Sequence, residues 1–385
     1  MWLFRSGIVL LVYTGMNIYT GIRIFWLLRF FSLPFRAFVF WPLYITFSFS
    51  YILVYLLRLD RIQPLRQVAM YSLPALVYLF LALFVLDGIR LVFRFWNNTP
   101  LSPALNAAAA GLALCLTVLV MIYGAVHARG IGTVHYNIAL KKGGGASPLR
   151  LTLVSDLHIG TTVNRKWLTN IVDAVNLTEP DIICIAGDIF DNNIDMIQDL
   201  EGVAEELRRL NAALGVYACP GNHDVDRLSF REGASADRIQ EFLKDAGIIY
   251  LQDEVTLVAD LFYLAGRKDA RPIGIMGGRK SAAELAADLD KSRPLFFLDH
   301  QPVDFPRVEE AGADLILSGH THKGQFFPGN IATARIFRDA GAVHHGHWQG
   351  RFAQAVVTSG VGVWGPPIRI ATRSEVAVID ITFGE

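Results

Sequence analysis

Long uncharged apolar runs in the first third of the chain constrain its fold more than any other sequence feature. Residues 37–57, 67–86 and 101–126 contain no charged side chain. Each run is long enough to cross the hydrocarbon core of a bilayer as a helix, which takes about 20 residues. A further run, 6–28, is interrupted only by Arg23, and an arginine near a helix end can extend its side chain to the headgroups. The sequence therefore predicts four membrane helices, one over each of these runs.

The charges divide the chain at about residue 147. Residues 1–147 contain 12 Lys and Arg against 2 Asp and Glu, a difference of +10, whereas the rest contains 23 against 33, a difference of −10. Such a contrast is typical of a basic membrane segment followed by a water-soluble domain. It predicts a transmembrane domain over 1–140, a glycine-rich linker over 141–148 and a soluble domain over 149–385. The acidic soluble half also argues against a long nucleic acid as partner, because binding a polyanion draws on clustered positive charge.

Positive charges flanking the runs bear on the orientation in the bilayer. Four spans place both ends of the bundle on one side, which then carries seven Arg and Lys residues against five on the other side. The positive-inside rule therefore favours a cytoplasmic location for the soluble domain.

From Leu149 onward, short apolar runs alternate with segments of helical period. Strands are predicted at 149–155, 181–186, 216–219, 261–265, 294–298, 314–318, 354–358 and 375–381. Helices are predicted at 164–178, 196–213, 235–246, 281–290 and 304–311. This alternation indicates an α/β fold, in which helices cover parallel or mixed sheets.

Polar side chains follow five of the predicted strands. The segments are Asp156-Leu157-His158, Gly187-Asp188, Gly221-Asn222-His223-Asp224, Asp299-His300 and Gly319-His320-Thr321-His322. Ligands of open α/β sheets bind outside the carboxyl ends of the strands, so we expect these segments to meet at one rim. Carboxylate oxygen together with imidazole nitrogen favours divalent manganese, iron, zinc, nickel or cobalt. A carboxylate shared by two such ions is a frequent device for displacement at phosphorus.

The motifs SDLHIG, AGDIFD, CPGNHD, DH and SGHTHKGQ occur in this order. Together they resemble the signature of the calcineurin-like metallophosphoesterase superfamily, from about Leu149 to the C-terminus. The stretch SGVGVWGPPIRI resembles a membrane-associated bacterial branch. The resemblance implies a two-sheet metallophosphoesterase sandwich flanked by helices, here preceded by the four-helix transmembrane bundle. It also implies an integral protein of the bacterial inner membrane.

The resemblance gives each polar position a role. Asp156, His158 and His322 would hold the first metal ion, Asn222, His300 and His320 would hold the second, and Asp188 would bridge them. His223 would stabilise the developing charge or protonate the leaving oxygen, and Asp224 would fix the tautomer of His223. A metal-bound hydroxide would then attack phosphorus in line. The chain is thus expected to be a metal-dependent phosphoesterase that acts on a phosphomonoester, a phosphodiester or a pyrophosphate bond.

The substrate class stays open between lipid-linked and nucleotide-linked phosphoesters. The membrane segment favours a substrate near the bilayer, and the superfamily includes the UDP-diacylglucosamine pyrophosphatases of lipid A synthesis. The alternative to an enzyme is a membrane transporter or sensor that uses the phosphoesterase fold for ligand binding only. The intact set of predicted metal ligands argues against that alternative.

Several other residues near the motifs carry expectations. Asp299 is expected to support the site or cap an element rather than bind a metal, and Asp191 to lie in a turn. Arg369 and Trp364 are candidates for the lining of the substrate cleft. A second histidine cluster comprises His344, His345 and His347. It is expected to form a surface or substrate-facing loop, with a third metal site as the alternative.

Overall fold

The computed structural model of the chain divides into two compact units, Met1–Ala125 with Gly365–Pro367 and Val126–Trp364 with Ile368–Glu385. The structure describes residues 2–33, 36–59, 62–97, 102–143, 146–160, 162–191, 194, 197, 199–224, 234–270, 278–339 and 342–384. Residues 144 and 145 of the predicted linker lie outside the described residues.

Helices make up the first unit. They are α1 (Trp2–Phe30), α2 (Ala37–Ser48), α3 (Ser50–Leu56), α4 (Gln63–Asn97) and α5 (Pro103–His127). Two of these, over Gln63–Trp96 and Pro103–His127, are long and apolar enough to cross a membrane. The pair α2 and α3 provides a third span only if the two helices, which meet at an angle of 64°, are taken together.

The prediction of four membrane helices is therefore confirmed only for the runs 67–86 and 101–126. The run 37–57 is broken at Phe49, next to a serine whose hydroxyl bonds back to the carbonyl of Ile45 at 3.2 Å. Such bonds compete with those of the helix and favour bending. The run 6–28 lies within α1, which does not meet the same test over the described residues.

Two six-stranded mixed sheets form the centre of the second unit. The strands are β1 (Ile131–Leu140), β2 (Leu149–Val154), β3 (Ile182–Ala186), β4 (Val216–Cys219), β5 (Ile248–Tyr250), β6 (Glu254–Val258), β7 (Phe262–Gly266), β8 (Leu295–Leu298), β9 (Leu315–Ser318), β10 (Gly346–Gln349), β11 (Gln354–Val357) and β12 (Ser374–Phe383). One sheet has the order β1-β12-β2-β3-β4-β5, and the other has the order β10-β11-β9-β8-β7-β6. The predicted α/β fold with two sheets is confirmed.

The sheets face each other across a shared apolar core. Helices cover the outer faces: α6 (Arg165–Asn176), α7 (Leu200–Leu207), α8 (Ala234–Asp245), α9 (Ala282–Ala286) and α10 (Phe305–Glu310), while α11 (Gly329–Asp339) has no buried residue. In β3, Ile182 and Cys184 belong to the core between the sheets, whereas Ile183 and Ile185 pack beneath the helices. Side chains alternate along a strand, so a strand covered on both faces must be apolar throughout.

β1 is an element that the sequence did not predict. It pairs in parallel with β12, from Ile131 opposite Ser374 to Leu140 opposite Phe383. β1 was missed because its partner strand lies near the other end of the chain and because its residues follow directly on a long apolar run. β1 therefore belongs to the second unit although it precedes the predicted linker. β5, β6, β10 and α11 were also not predicted.

Candidate metal centre

The segments that follow β2, β3, β4, β8 and β9 come together at the carboxyl ends of these strands, as expected. They form groups whose possible ligand atoms all lie within 4.8 Å of one another: Asp156, His158 and His322, then Asp188, His300 and His320, then His158, Asp191 and His223. The strand order explains the meeting. β2, β3 and β4 are parallel neighbours in one sheet, and β8 and β9 are parallel neighbours in the other.

Asp156, His158 and His322 surround a single point. His158 Nε2 lies 3.1 Å from His322 Nε2, which lies 3.3 Å from Asp156 Oδ1. Ligand atoms held about 2.1 Å from one ion and at right angles to each other are separated by about 3 Å. Among the described residues, Asp156 Oδ1 is buried and accepts no hydrogen bond. A buried acceptor without a donor fits a cation at this point.

His300 is the centre of the second group. Its Nδ1 lies 2.7 Å from the carbonyl oxygen of Ala186, which only accepts, so Nδ1 carries a proton. Its Nε2 lies 3.2 Å from Asp188 Oδ2, 3.1 Å from Asn222 Oδ1 and 3.2 Å from His320 Nδ1. Two oxygen acceptors therefore face the same ring nitrogen. This crowding requires a positive charge, either a second proton on His300 or a cation among the four ligands.

Asp188 lies between the two groups. Its Oδ2 is 3.2 Å from His300 Nε2 and 3.6 Å from His158 Nε2. Its Oδ1 accepts a hydrogen bond of 2.8 Å from the main-chain N–H of His223. One carboxylate oxygen thus faces a ring of each group, which is the position that the predicted bridging role requires.

The backbone at the site adopts an uncommon conformation. Five predicted metal ligands have φ between 47° and 70° although none is a glycine: Asp156, His158, Asp188, His320 and His322. Left-handed backbone costs such residues about 1–3 kcal/mol each and collects at functional sites. The strain follows from turning each chain sharply after its strand so that the side chains point to a common centre.

Burial sets the charge state of the candidate ligands. It lowers the pKa of His158 to about 3, and burial together with the neighbouring His158 holds the pKa of His322 well below its ordinary value. Burial raises the pKa of Asp156 to about 6. Burial alone would also raise the pKa of Asp188, but His300 reverses this and holds it below its usual range. Burial alone would lower the pKa of His300, but Asp188 and Asp156 reverse this and hold it well above its ordinary value. At neutral pH, ionised carboxylates thus face neutral His158 and His322 and a protonated His300, whose place as a positive charge a divalent metal ion can take.

His223 lies at the boundary between these buried ligands and the surface. Its Nδ1 lies 2.7 Å from the carbonyl oxygen of Asp191, so Nδ1–H donates and Nε2 is left to accept or release a proton. Its ring centre is 5.0 Å from that of His158 and 6.3 Å from that of Trp364. Trp364 is 47% exposed, so an exposed aromatic ring lies next to His223.

Asp224 does not orient His223 as the sequence predicted. Its buried carboxylate accepts hydrogen bonds from the main-chain N–H groups of Gly221, Phe190 and Ile189, at 2.8, 2.9 and 3.2 Å. Asp224 therefore fastens the loop after β3 to the loop after β4. The acceptor that orients His223 is the main chain of Asp191, which no side-chain motif can reveal. The Asp191 carboxylate also lies 3.7 Å from His158 Nδ1, a contact that its prediction as a turn residue missed.

Gly221 allows these two loops to pack closely. A Cβ atom at this position would lie only 2.2 Å from the main-chain nitrogen of Asp188. Non-bonded heavy atoms do not approach so closely, so any other residue would displace Asp188.

The structure places the two residues predicted to line the substrate cleft, Arg369 and Trp364, in different surroundings. Arg369 is completely buried, and its guanidinium donates to three carbonyl groups between residues 359 and 362. The prediction that Arg369 lines the open cleft is therefore wrong, because its charge is used to hold a loop. Trp364 is exposed beside His223, and its main-chain N–H and carbonyl both bond to the side chain of Gln325, at 2.8 and 2.9 Å.

Asp299 is buried and paired with arginine rather than with the candidate ligands. It accepts from Arg267 at 2.9 Å and also from Arg279. These contacts agree with the expected supporting role, because they fix the residue that immediately precedes His300.

The second histidine cluster lies outside the groups that could hold a metal in the described part of the chain. Its members are His344, His345 and His347. His345 Nε2 lies 3.0 and 3.1 Å from the two carboxylate oxygens of Glu375. Glu375 is only 2% exposed and also accepts from the main-chain N–H of Ser359 at 2.9 Å. No motif pointed to Glu375, because its partners come from distant loops.

Glu375 is expected to make the stability of the domain depend on pH. Burial alone would raise its pKa, but the bonds from His345 and Ser359 lower it from 4.5 to about 2. The resulting stabilisation is present above pH 4.5 and is lost as the pH falls from 4.5 towards 2. Glu375→Gln should therefore reduce the free energy of unfolding near pH 7 by on the order of 3 kcal/mol.

Melting temperatures of the full-length protein from pH 8 to pH 3 provide the measurement. The gap between wild type and Glu375→Gln should shrink below pH 4.5, while Glu310→Gln, at an exposed position, should leave the melting temperature unchanged. A gap that is the same at every pH would show that the ionised Glu375 carboxylate is not the source of the stability.

Comparison with known proteins gives consistent matches to metallophosphoesterases. The family model described as calcineurin-like phosphoesterase matches residues 149–324. The chain is 32% identical over 280 residues to a transmembrane protein with metallophosphoesterase domain from Danio rerio, covering 70% of this chain and 61% of that protein. Uncharacterized metallophosphoesterases from Helicobacter pylori strain J99 (30% identity, 60% and 59% covered) and Aquifex aeolicus (27%, 69% and 97%) are also similar. The chain thus spans about 60% of the first two of these relatives.

Proposed function

Because residues 149–324 form a calcineurin-like metallophosphoesterase domain, we propose that this chain is a membrane-anchored phosphoesterase that uses two divalent metal ions. The observation that carries the proposal is the placement of Asp188 Oδ2, which faces His300 and His158 at 3.2 and 3.6 Å. The substrate is a phosphomonoester, phosphodiester or pyrophosphate, lipid-linked or nucleotide-linked.

The apolar helices support the proposed location. Two helices are long and apolar enough to span a bilayer, and the Danio rerio relative is named as a transmembrane protein. We place the chain in a bacterial inner membrane with its catalytic domain in the cytoplasm, in line with the excess of positive charge flanking the runs on that side. The proposed catalytic domain covers 149–385 with β1 added at its edge.

The candidate ligands divide between two ions. Asp156, His158 and His322 would hold one, Asn222, His300 and His320 the other, and Asp188 both. When bound, such ions supply an activated water and neutralise charge on the phosphoryl oxygens. The nitrogen and oxygen donors of these side chains suit divalent manganese, iron, zinc, nickel or cobalt.

The protein's own groups would orient the substrate and move a proton. The imidazolium form of His223 would carry a proton on Nε2 as well as on Nδ1. Because Nδ1–H is held by the carbonyl of Asp191, Nε2 is the atom that would pass its proton to the leaving oxygen. Trp364, beside His223 and exposed, would contact the leaving group and limit the access of water to it. The buried loops that carry the ligands keep this geometry without help from the substrate.

Metal dependence is the direct test. Purified full-length protein should hydrolyse bis(p-nitrophenyl) phosphate when supplied with manganese, should lose the activity on chelation and should regain it on re-addition of the metal. Elemental analysis should find about two ions per chain. Bound metal without turnover of any phosphoester would instead favour the transporter or sensor, and hydrolysis that survives complete chelation would reject the metal-dependent enzyme.

A further inference from the structure

A cavity of about 560 Å³ opens beside the loop that carries His320 and His322. Its walls come from α11, from Lys323 and from His344. We call it the α11 pocket. The metal site described above uses none of the residues that line it.

Positive charge is concentrated in the α11 pocket. Lys323, Arg335 and Arg338 line it together with a single carboxylate, that of Asp339, which is 4.0 Å from Arg335. The soluble half as a whole is acidic, with 23 Lys and Arg against 33 Asp and Glu after residue 147. A cavity with an excess of cations in an acidic domain produces a local positive potential that attracts anions.

His344 gives independent support for this positive potential. Burial lowers its pKa, and the neighbouring His345 and the cations Lys323 and Arg338 lower it further. Lys323 and Arg338 therefore both lie close enough to act on the His344 imidazole. His344 stays neutral there and can donate or accept a hydrogen bond.

The pocket is built onto the loop of candidate metal ligands. Lys323 follows His322 directly, and consecutive Cα atoms are about 3.8 Å apart. Gly324 lies at φ +75°, and a Cβ atom there would be 2.3 Å from Asn330 Cα, so the first turn of α11 packs against this loop without space between them. The hydroxyl of Thr321 also bonds to the carbonyl of His344. Both walls of the pocket are thus fixed to the metal-ligand loop.

We propose that the α11 pocket binds a second phosphate group of the substrate, while the first is positioned at the metal centre. The guanidinium groups of Arg335 and Arg338 match phosphate oxygens in geometry as well as in charge. The assignment rests on the proposed function for the position of the scissile phosphate. It narrows the substrate to compounds with two phosphate groups, either within one soluble molecule or with the second supplied by a phospholipid headgroup.

Inhibition by bisphosphonates tests the pocket. The experiment measures how strongly two kinds of inhibitor reduce the hydrolysis of bis(p-nitrophenyl) phosphate by full-length protein. One is methylphosphonate, and the other is a series of alkane bisphosphonates with one to four carbons between the phosphorus atoms. The spacer that fits should inhibit the wild type about tenfold more strongly than methylphosphonate. The double variant Arg335→Gln/Arg338→Gln should lose this advantage with unchanged inhibition by methylphosphonate. Arg307→Gln, on exposed α10, is the matched control and should keep the advantage.

The series separates the pocket from simple chelation of the metals. An advantage that remains in the double variant comes from both phosphonates binding the metal ions, and this result would overturn the proposal, as would the lack of any advantage in wild type. An equal loss for methylphosphonate would also overturn it, because the arginines would then act on the first phosphate.

Two further experiments complete the test. The first identifies the source of the second phosphate group, and the second tests the pocket even if no hydrolysis is found. In nanodiscs of phosphatidylglycerol instead of phosphatidylcholine, a bisphosphonate advantage that persists assigns the pocket to a soluble substrate, and one that disappears assigns it to a headgroup. If no metal supports hydrolysis, the proposed function fails, and equilibrium dialysis with inorganic phosphate then decides on the pocket. Phosphate binding that the double variant loses and Arg307→Gln retains would support the pocket, and binding equal in all three proteins would reject it.

Discussion

Replacing Asp188 with alanine is expected to lower kcat/KM for bis(p-nitrophenyl) phosphate by about a thousandfold or more. Its Oδ2 lies 3.2 Å from His300 Nε2 and 3.6 Å from His158 Nε2, so one substitution removes a donor from both candidate metal groups. Removal of a single group that stabilises the transition state already costs about 10²–10³ in rate. Loss of a shared ligand also weakens the binding of the ions, and elemental analysis should show fewer ions per chain.

Two variants separate the metal role from folding. Asp188→Asn keeps the size of the side chain and the oxygen that accepts from His223 N–H at 2.8 Å, but it removes the charge. It should bind metal weakly and recover part of its activity at high manganese concentration. Asp245→Ala, at the exposed end of α8, should behave as wild type. Full activity and metal content in folded Asp188→Ala would show that Asp188 is not a bridging ligand, and the two-metal proposal would then fail.

The meeting of the five loops was predictable because it follows from local pattern and sheet geometry. Each polar segment comes after a strand of four to six residues, and parallel neighbouring strands end at the same edge. The motifs also place Asp156 and His158 at alternate positions. The positions of the strands therefore located the polar segments, and the resemblance to the metallophosphoesterase family assigned the candidate ligands within them.

Contacts between distant main-chain atoms were not predictable. The carbonyl of Asp191 orients His223, whereas the sequence suggested the neighbouring Asp224. Asp224 follows His223 in sequence, but the turn of the loop directs its side chain away from the His223 ring. A main-chain carbonyl is present at every residue, so the sequence does not show which one accepts the hydrogen bond. Glu375 was missed for a similar reason, because its partner His345 lies on a different loop.

Helical breaks within apolar runs were also beyond the sequence pattern. Length and hydropathy indicated one span over 37–57, but the structure has two helices that bend by 64°. The residues at the break are Ser48, Phe49 and Ser50, of which Ser50 bonds across to Ser72 of α4 at 2.8 Å. Such a partner becomes visible only when the helices are packed, since serine is also tolerated within straight membrane helices.

His223→Gln is expected to lower kcat by about 10²–10⁴ for phosphodiesters with an alkoxide leaving group. As an acid, His223 must be the imidazolium, with a proton on each ring nitrogen. Nδ1–H donates to a carbonyl at 2.7 Å, so the proton on Nε2 is the one available to the leaving oxygen. An alkoxide needs this proton, whereas p-nitrophenolate is stable without it. The same variant should therefore lose only about tenfold with bis(p-nitrophenyl) phosphate, and metal content should stay that of wild type.

The dependence on the leaving group distinguishes proton transfer from the other role open to His223. If His223 instead stabilises charge on the phosphoryl oxygens, the loss should be equal for both substrates, because those oxygens are the same in each. His347→Gln is the matched control, since His347 is exposed and bonds only to Gln354 at 2.9 Å among the contacts of the described residues. Equal losses in His223→Gln would reject the general-acid role, and no loss with either ester would remove His223 from the reaction. A large loss confined to the alkoxide ester would mean that the Asp191 carbonyl, by holding Nδ1–H, leaves the Nε2 proton of the His223 imidazolium for the leaving oxygen.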